Sequence, residues 1–397
     1  DYKIQQQTNR EITSAAYPQL NATGTLQNFL DLPTSLIPAA FTGGAPGTFI
    51  PLRFGTKYNL TGGFDVSQLL FEGQVFVGLK ARPVALQFYA RQTEVTEEMI
   101  NVNVQKIYYQ LVVGRQQMTS IDANIERFSK LLNDTKAIFQ QGFAEKLDVD
   151  KVTVQLNNLQ TEKIKVQSQL DAGNAALKFL MNMPQKDQLI LTDSITEDNI
   201  KDNILTDDYR YEDRKEYQLS LLGKKLGEYN VQRYKLTFLP TLAAFGSYNK
   251  NAQRQKFDFF KGGPGGQYFT TSLIGLRLTV PIFDGFGRSA RVQKAKLQLQ
   301  QTNNNIEQLK ASIDNDVAQA RLKITAAVVT LDNQKKNMTL AEQVYNTTKK
   351  KYEAGLGSNQ EIYNAQAELK VAQNNYYGAL YDAVIAKIDY QKATGKL

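Results

Sequence analysis

The chain has no cysteine and no histidine. That removes thiol nucleophiles, Cys/His metal centres, imidazole acid–base chemistry and any disulfide framework, so an enzyme is not expected. A cysteine-free chain also suits an oxidising compartment. No run approaches the roughly 18 to 20 apolar residues that a membrane-spanning helix requires, which argues against a helical membrane anchor. A phosphate loop is missing too, because Gly262-Gly263-Pro264-Gly265-Gly266 lacks the Lys-Ser/Thr that would have to follow. No cofactor or metal site is therefore expected. The net charge of +8 comes from Lys and Arg dispersed among Asp and Glu, a solvated basic face rather than a nucleic-acid patch. No signal peptide is visible, yet Asp1-Tyr2-Lys3 opens inside what reads as a helix already under way, so an earlier start is expected.

Glycine and proline are absent from the 67 residues between Arg288 and Ala354. Such a helix would run roughly 100 Å at about 1.5 Å per residue, whereas helices in globular domains average about a dozen residues. One elongated body is expected, not two or three ordinary domains.

What the chain does contain is repetition, which decides the fold before any local reading. Aligning Phe71-Glu72-Gly73 with Phe283-Asp284-Gly285 sets a shift of about 213 residues for the helices that follow. It carries Val104, Leu111, Met118, Ile125, Leu132 and Phe139 onto Val317, Ile324, Leu331, Met338, Tyr345 and Tyr352. Both columns step by seven. A second column, Ile313, Ala320, Ala327, Gln334 and Ala341, completes an a/d seam, and apolar positions sustained over about five heptads predict left-handed supercoiling. Tyr345, Tyr352, Phe128 and Phe139 are expected to be packing residues near the helix ends. Gly142 and Gly355 follow as C-caps that reverse the chain, with return helices beginning near Leu147 and Gln360. Gly173, Met183-Pro184 and Gly378 suggest weaker interruptions. Between Gln185 and Arg214 a polar stretch with Asp207, Asp208, Glu212 and Asp213 reads as a small separate layer with solvated charges.

Ahead of each helical pair the side chains alternate with period two. Leu20, Ala22, Gly24 and Leu26 oppose Gln19, Asn21, Thr23, Thr25 and Gln27, and Tyr58, Leu60, Phe64 and Val66 oppose their polar neighbours. In the second half Leu242, Ala244, Gly246 and Tyr248 form one face of a strand, and Leu276, Leu278, Val280 and Ile282 the apolar face of the next. Either a half-buried soluble sheet or a transmembrane barrel wall shows this alternation. Four strands cannot close, and only closed barrels satisfy their backbone in lipid. A barrel would take eight strands from a dimer or twelve from a trimer. The connection from Leu32 to Gly55 is eight residues longer than that from Asn251 to Gly266, and both are glycine-rich and expected to be flexible.

The order strand, strand, helical hairpin, twice over, with Leu239-Pro240-Thr241-Leu242 entering one strand and Phe283-Asp284-Gly285 leaving another, resembles the TolC-like outer-membrane efflux protein family. Tyr352-Glu353-Ala354-Gly355-Leu356 and Phe139-Gln140-Gln141-Gly142-Phe143 look like its two hairpin tips, and Gly395-Lys396-Leu397 like its usual end. The resemblance covers nearly the whole chain and implies a mainly α fold with a transmembrane β-barrel portion. Its parts would be a first repeat over 1–183, a linker over 184–212 and a second repeat over 213–397. It further implies a homotrimer with a twelve-stranded barrel in outer-membrane lipid, continued by an α-helical tunnel through the periplasm of a Gram-negative bacterium. Such a chain is a passive exit duct, fed by an inner-membrane transporter through a periplasmic adaptor protein.

The adaptor-docking tips would be Gly142, Phe143, Ala144, Gly355, Leu356 and Gly357. Asp148, Tyr352, Glu361 and Asn364 would form a periplasmic gate, where three copies of Glu361 around an axis bring like charges together. The sequence departs from the family in having uncharged Asn364 where relatives often carry an acid, and Gly357 where some carry a basic residue. A structural coiled-coil scaffold or adhesin stalk also accounts for the heptads, but leaves four amphipathic strands unexplained.

Overall fold

Turn residues and prolines mark where each element stops. The computed structural model describes residues 1–397 except 194, 196, 202–208 and 263–265, and leaves the side chains of 198 and 199 aside. A first helix, α1 (Tyr2–Ser14), precedes strand β1 (Gln19–Asn28). The glycine-rich connection from Leu32 to Gly55 holds regular structure of its own. It folds into a hairpin of β2 (Thr34–Pro38) and β3 (Phe49–Arg53), and leads to β4 (Tyr58–Phe71). Helix α2 (Gly73–Gln140) then reverses into α3 (Lys146–Leu180). After a short α4 (Glu197–Lys201) come α5 (Lys215–Lys235), β5 (Thr241–Arg254), β6 (Phe269–Thr279), α6 (Gly287–Glu353) and α7 (Asn359–Thr394). Shifting α2 and α3 by 213 gives 286–353 and 359–393, within a residue of α6 and α7 at every end.

The chain folds into two compact units, each drawing on both halves of the sequence: residues 1–90 with 222–303, and residues 91–221 with 304–397. The first holds a four-stranded antiparallel sheet in the order β1-β4-β5-β6. Its register places Leu20 opposite Val66, Ala22 opposite Phe64, Phe64 opposite Tyr248, Val66 opposite Gly246, Ala244 opposite Leu276 and Leu242 opposite Leu278. All four apolar columns therefore share one face. Strand β6 ends at Thr279, so Val280 and Ile282, expected to continue the column, lie beyond it. Pro281 has no N–H to give the ladder and restricts the residue before it. Pro240 bounds β5 in the same way at its start.

The second unit is a packed helical body. One cluster unites Phe128, Leu132, Val152 and Leu159 from α2 and α3 with Tyr345, Ile362 and Leu369 from α6 and α7. A second gathers Val113, Leu331, Leu380 and Val384, and a third Ile313, Ile324 and Tyr390. The heptad columns are buried or half-buried with one exception, Phe139, which is exposed in the last turn of α2. Gly173 and Gly378 do not interrupt their helices. A Cβ on Gly173 would come 2.8 Å from Leu111 Cδ2, and one on Gly114 would come 2.8 Å from Leu170 Cδ2. The two glycines are reciprocal notches through which α2 and α3 approach, a packing role that sequence reads as weakness.

The segment between the repeats is hydrogen-bonded to the long helices. Asp193 accepts from the Tyr108 hydroxyl of α2 (2.5 Å), Glu197 from Lys335 of α6 (2.5 Å) and from the Tyr376 hydroxyl of α7 (2.9 Å). Tyr209 and Tyr211 both donate to Asp314 of α6, at 2.7 and 2.9 Å. The hydrogen bond to Asp314, with burial second, pushes the Tyr209 phenol up to about 12. Of the acids expected to be solvated, Glu212 is exposed and Asp213 pairs with Arg210 at 3.4 Å, while Asp207 and Asp208 lie outside the described residues.

Candidate functional site

Two places carry the functional expectations, the sheet and the helical reversals. On the sheet, the face holding Leu276 and Leu278 is uncovered: these two side chains are 68% and 64% exposed, and Leu20, Phe64 and Ile274 stand open beside them. The opposite face presents Gln19, Asn21, Thr23, Asn59, Thr61, Ser247, Asn249 and Asn251. Cross-strand bonds tie this polar face together, Thr23 donating to Asp65 at 3.2 Å and Thr61 to Asn251 at 2.8 Å. Among the described residues no strand pairs with the outer edges of β1 and β6.

Each helical reversal is a Schellman ending. At the first, the Gly142 N–H donates to Phe139 O and the Phe143 N–H to Ile138 O; at the second, the Gly355 N–H donates to Tyr352 O and the Leu356 N–H to Lys351 O. The glycines have φ +80° and +73°, the left-handed region that side chains resist. Next to them Phe143 and Leu356 are 83% and 80% exposed. Ala144 and Gly357 are half-buried. A Cβ on Gly357 would come 3.2 Å from the Tyr352 nitrogen, so a side chain there would crowd the end of α6. Side chains also bridge the return helices, Lys151 Nζ donating to Gln360 Oε1 (3.2 Å) and Gln155 Nε2 to the Tyr363 hydroxyl (2.9 Å).

The four gate candidates are engaged within their own tips. Asp148 accepts from the Glu145 backbone N–H at 3.3 Å, capping α3. Ser358 caps α7 by accepting from the Glu361 N–H at 3.2 Å, while the Glu361 carboxylate pairs with Lys351 at 3.7 Å. Asn364 accepts from Gln360 at 2.8 Å. Tyr352 packs into the core near the tips; burial and then the nearby Asp134 push its phenol up, and its buried hydroxyl has no partner among the described residues. Sequence reasoning missed Lys351 as the partner of Glu361, although the run Lys349-Lys350-Lys351 before the turn was its signal. It also missed Asp284, whose carboxylate accepts from the Arg288 N–H at 2.8 Å and pairs with the Arg288 side chain at 3.1 Å. That interaction starts α6 and explains the acid in Phe283-Asp284-Gly285.

One sheet with a bare apolar face, whose two strand pairs are each followed by a long helical hairpin, has the architecture of known outer-membrane channels. Residues 224–396 match the outer membrane efflux protein family. The outer membrane protein TolC of Vibrio cholerae is 21% identical over 358 residues, covering 85% of this chain and 77% of its own. The proteases secretion protein PrtF of Dickeya chrysanthemi is 20% identical over 287 residues, 68% of this chain and 59% of its own. Among solved structures CusC superposes with a TM-score of 0.78 at 15% identity, over 99% of this chain and 86% of that one. The outer membrane protein VceC of Vibrio cholerae gives 0.74 at 14% identity, over 99% and 90%. The chain is thus similar, in sequence over residues 224–396 and in fold over nearly its whole length, to outer-membrane efflux proteins. The relatives it matches are named as outer-membrane and secretion proteins.

Proposed function

We propose that three copies close their sheets into one twelve-stranded barrel, with Leu276 and Leu278 toward lipid and the polar face lining the duct. The observation that carries this reading is the sheet itself, whose apolar face is uncovered while neither outer edge pairs with another described strand. In lipid each unsatisfied N–H or C=O costs several kcal/mol, so an open edge cannot persist and further chains must complete the ring. A soluble stalk would instead leave this face exposed to water. The tips then offer Phe143 and Leu356 to a periplasmic adaptor, which links the duct to an inner-membrane transporter that supplies the energy. Between the tips and the tunnel, Glu361 forms the constriction with Asp148, Tyr352 and Asn364 around it. Lys351 beside each Glu361 lowers the cost of bringing three carboxylates together.

Light scattering on the detergent-solubilised protein tests the assembly. The expected result is a protein mass of three chains after subtraction of bound detergent; a monomer or dimer would overturn the barrel and with it the gate.

A further inference from the structure

On the polar face of the sheet the four strands carry two ionisable side chains, Asp65 and Arg277. They are not partners. Asp65 lies across from Ser247, which faces Leu273, so Arg277 is four residues further along β6, roughly 13 Å at about 3.3 Å per residue. Asp65 is held by the Thr23 hydroxyl. Arg277 sits over the Phe245 ring, its guanidinium carbon 5.1 Å from the centroid. Phe245 faces Gly275 across the strands, and a Cβ on Gly275 would come 2.8 Å from Phe245 Cζ. Glycine thus lets the ring lie flat against the sheet, and the ring supports the arginine from a neutral surface. No carboxylate pairs with Arg277 among the described residues, and its opposite neighbour on β5 is the small Ala243.

An arginine supported by an aromatic face keeps its donor fork free, and that fork matches the oxygens of phosphate, sulfate and carboxylate groups in pairs. Its neighbours on that face are Ala243, Phe245, Gly275, Thr241 and Thr279, none of which carries a charge to neutralise it. Arg277 also lies two residues from the end of β6 nearest α6, where the barrel begins. We propose that Arg277, carried on Phe245 and Gly275, is an anion-binding site of the duct, and that three copies form a cationic collar which engages oxyanion groups of passing cargo. This rests on the barrel reading above, which places the polar face inside.

Calorimetric titration of the detergent-solubilised trimer with tripolyphosphate at low ionic strength tests the proposal. Light scattering and membrane partitioning of the same sample decide the barrel reading separately. Wild type is expected to bind one tripolyphosphate per three chains. Arg277→Gln should weaken binding by about tenfold or more, and Asp65→Asn should leave it unchanged or tighter. Thr279→Glu places a carboxylate on the same face two residues away and should weaken binding comparably, which keeps the test decisive if Arg277→Gln does not assemble. A properly assembled trimer that binds no tripolyphosphate, or binds it equally with and without Arg277, overturns the collar while leaving the barrel standing.

Discussion

The reversal at Gly355 gives the clearest quantitative expectation, because nothing surrounds it. A Cβ added there meets no atom within 4 Å, so a substitution is penalised by the backbone alone. With φ at +73°, a β-branched side chain costs roughly 1–2 kcal/mol. That energy is charged to the two bonds of the Schellman ending, Gly355 N–H to Tyr352 O and Leu356 N–H to Lys351 O. One or two kcal/mol changes a local equilibrium by about 5- to 30-fold. Gly355→Val should therefore speed hydrogen exchange at the tip amides by that factor, with peptides from β4 and β5 unchanged. Gly355→Asn, which tolerates the left-handed region, should fall between wild type and Val. Export and adaptor crosslinking should drop with Gly355→Val although the protein still inserts in the membrane. Unchanged exchange at the tip would show that the strain is relaxed elsewhere. Faster exchange throughout would show that the reversal is not a local element. Either result refutes the reasoning.

Leu278→Arg should impair outer-membrane insertion, since arginine on a lipid face costs about 2–4 kcal/mol near the midplane, whereas Thr279→Arg on the other face should be accepted; equal membrane yields would mean that the face assignment is wrong. Gly173→Ala overpacks the notch against Leu111 and should lower the stability of the helical body by about 1–3 kcal/mol, read as a fall in unfolding temperature, while Gly378→Ala, whose Cβ meets nothing within 4 Å, should not. Glu216 is partly buried, which pulls its carboxyl up, but hydrogen bonds from Arg214 and from its own backbone outweigh burial and hold it below its ordinary 4.5. Its stabilisation is then complete above that ordinary value and is lost as pH falls through the lower folded one. The melting-temperature gap between wild type and Glu216→Gln should accordingly close on acidification below about 4.5, and a gap that widens would contradict the sign.

The periodic elements were legible because each rests on a repeating pattern of many residues. The seven-residue columns become buried seams, and the alternating runs become one apolar face across four strands, because burial selects side chains at a fixed spacing. What stayed hidden depends on single atoms meeting across the fold. Gly173 and Gly378 have the same letter in sequence, yet one is a notch for Leu111 and the other faces open space. The hairpin of β2 and β3 was masked by its glycines and prolines, which read as looseness but shape the turn between two short strands. Glu361 reads as a lone acid until folding returns Lys351 to it across the turn. Phe139 keeps the heptad step and is nonetheless exposed, while its counterpart Tyr352 in the last turn of α6 packs against the core.

Strand β4 belongs to the first half of the sequence and β5 to the second, yet the two are paired over most of their length. In the duplicated scheme this seam joins the second strand of one half to the first strand of the next. A neighbour approaching the free edge of β6 with its own β1 would make a junction of the same kind. The chain thus carries a covalently tethered rehearsal of the contact that assembly demands of separate molecules. In the proposed three-chain barrel, a single half would need six copies to supply the same twelve strands, each junction repeated identically. A chain that holds both halves has no such constraint: its internal seam and the proposed external one can differ in sequence, one set for folding and the other for how firmly neighbours hold.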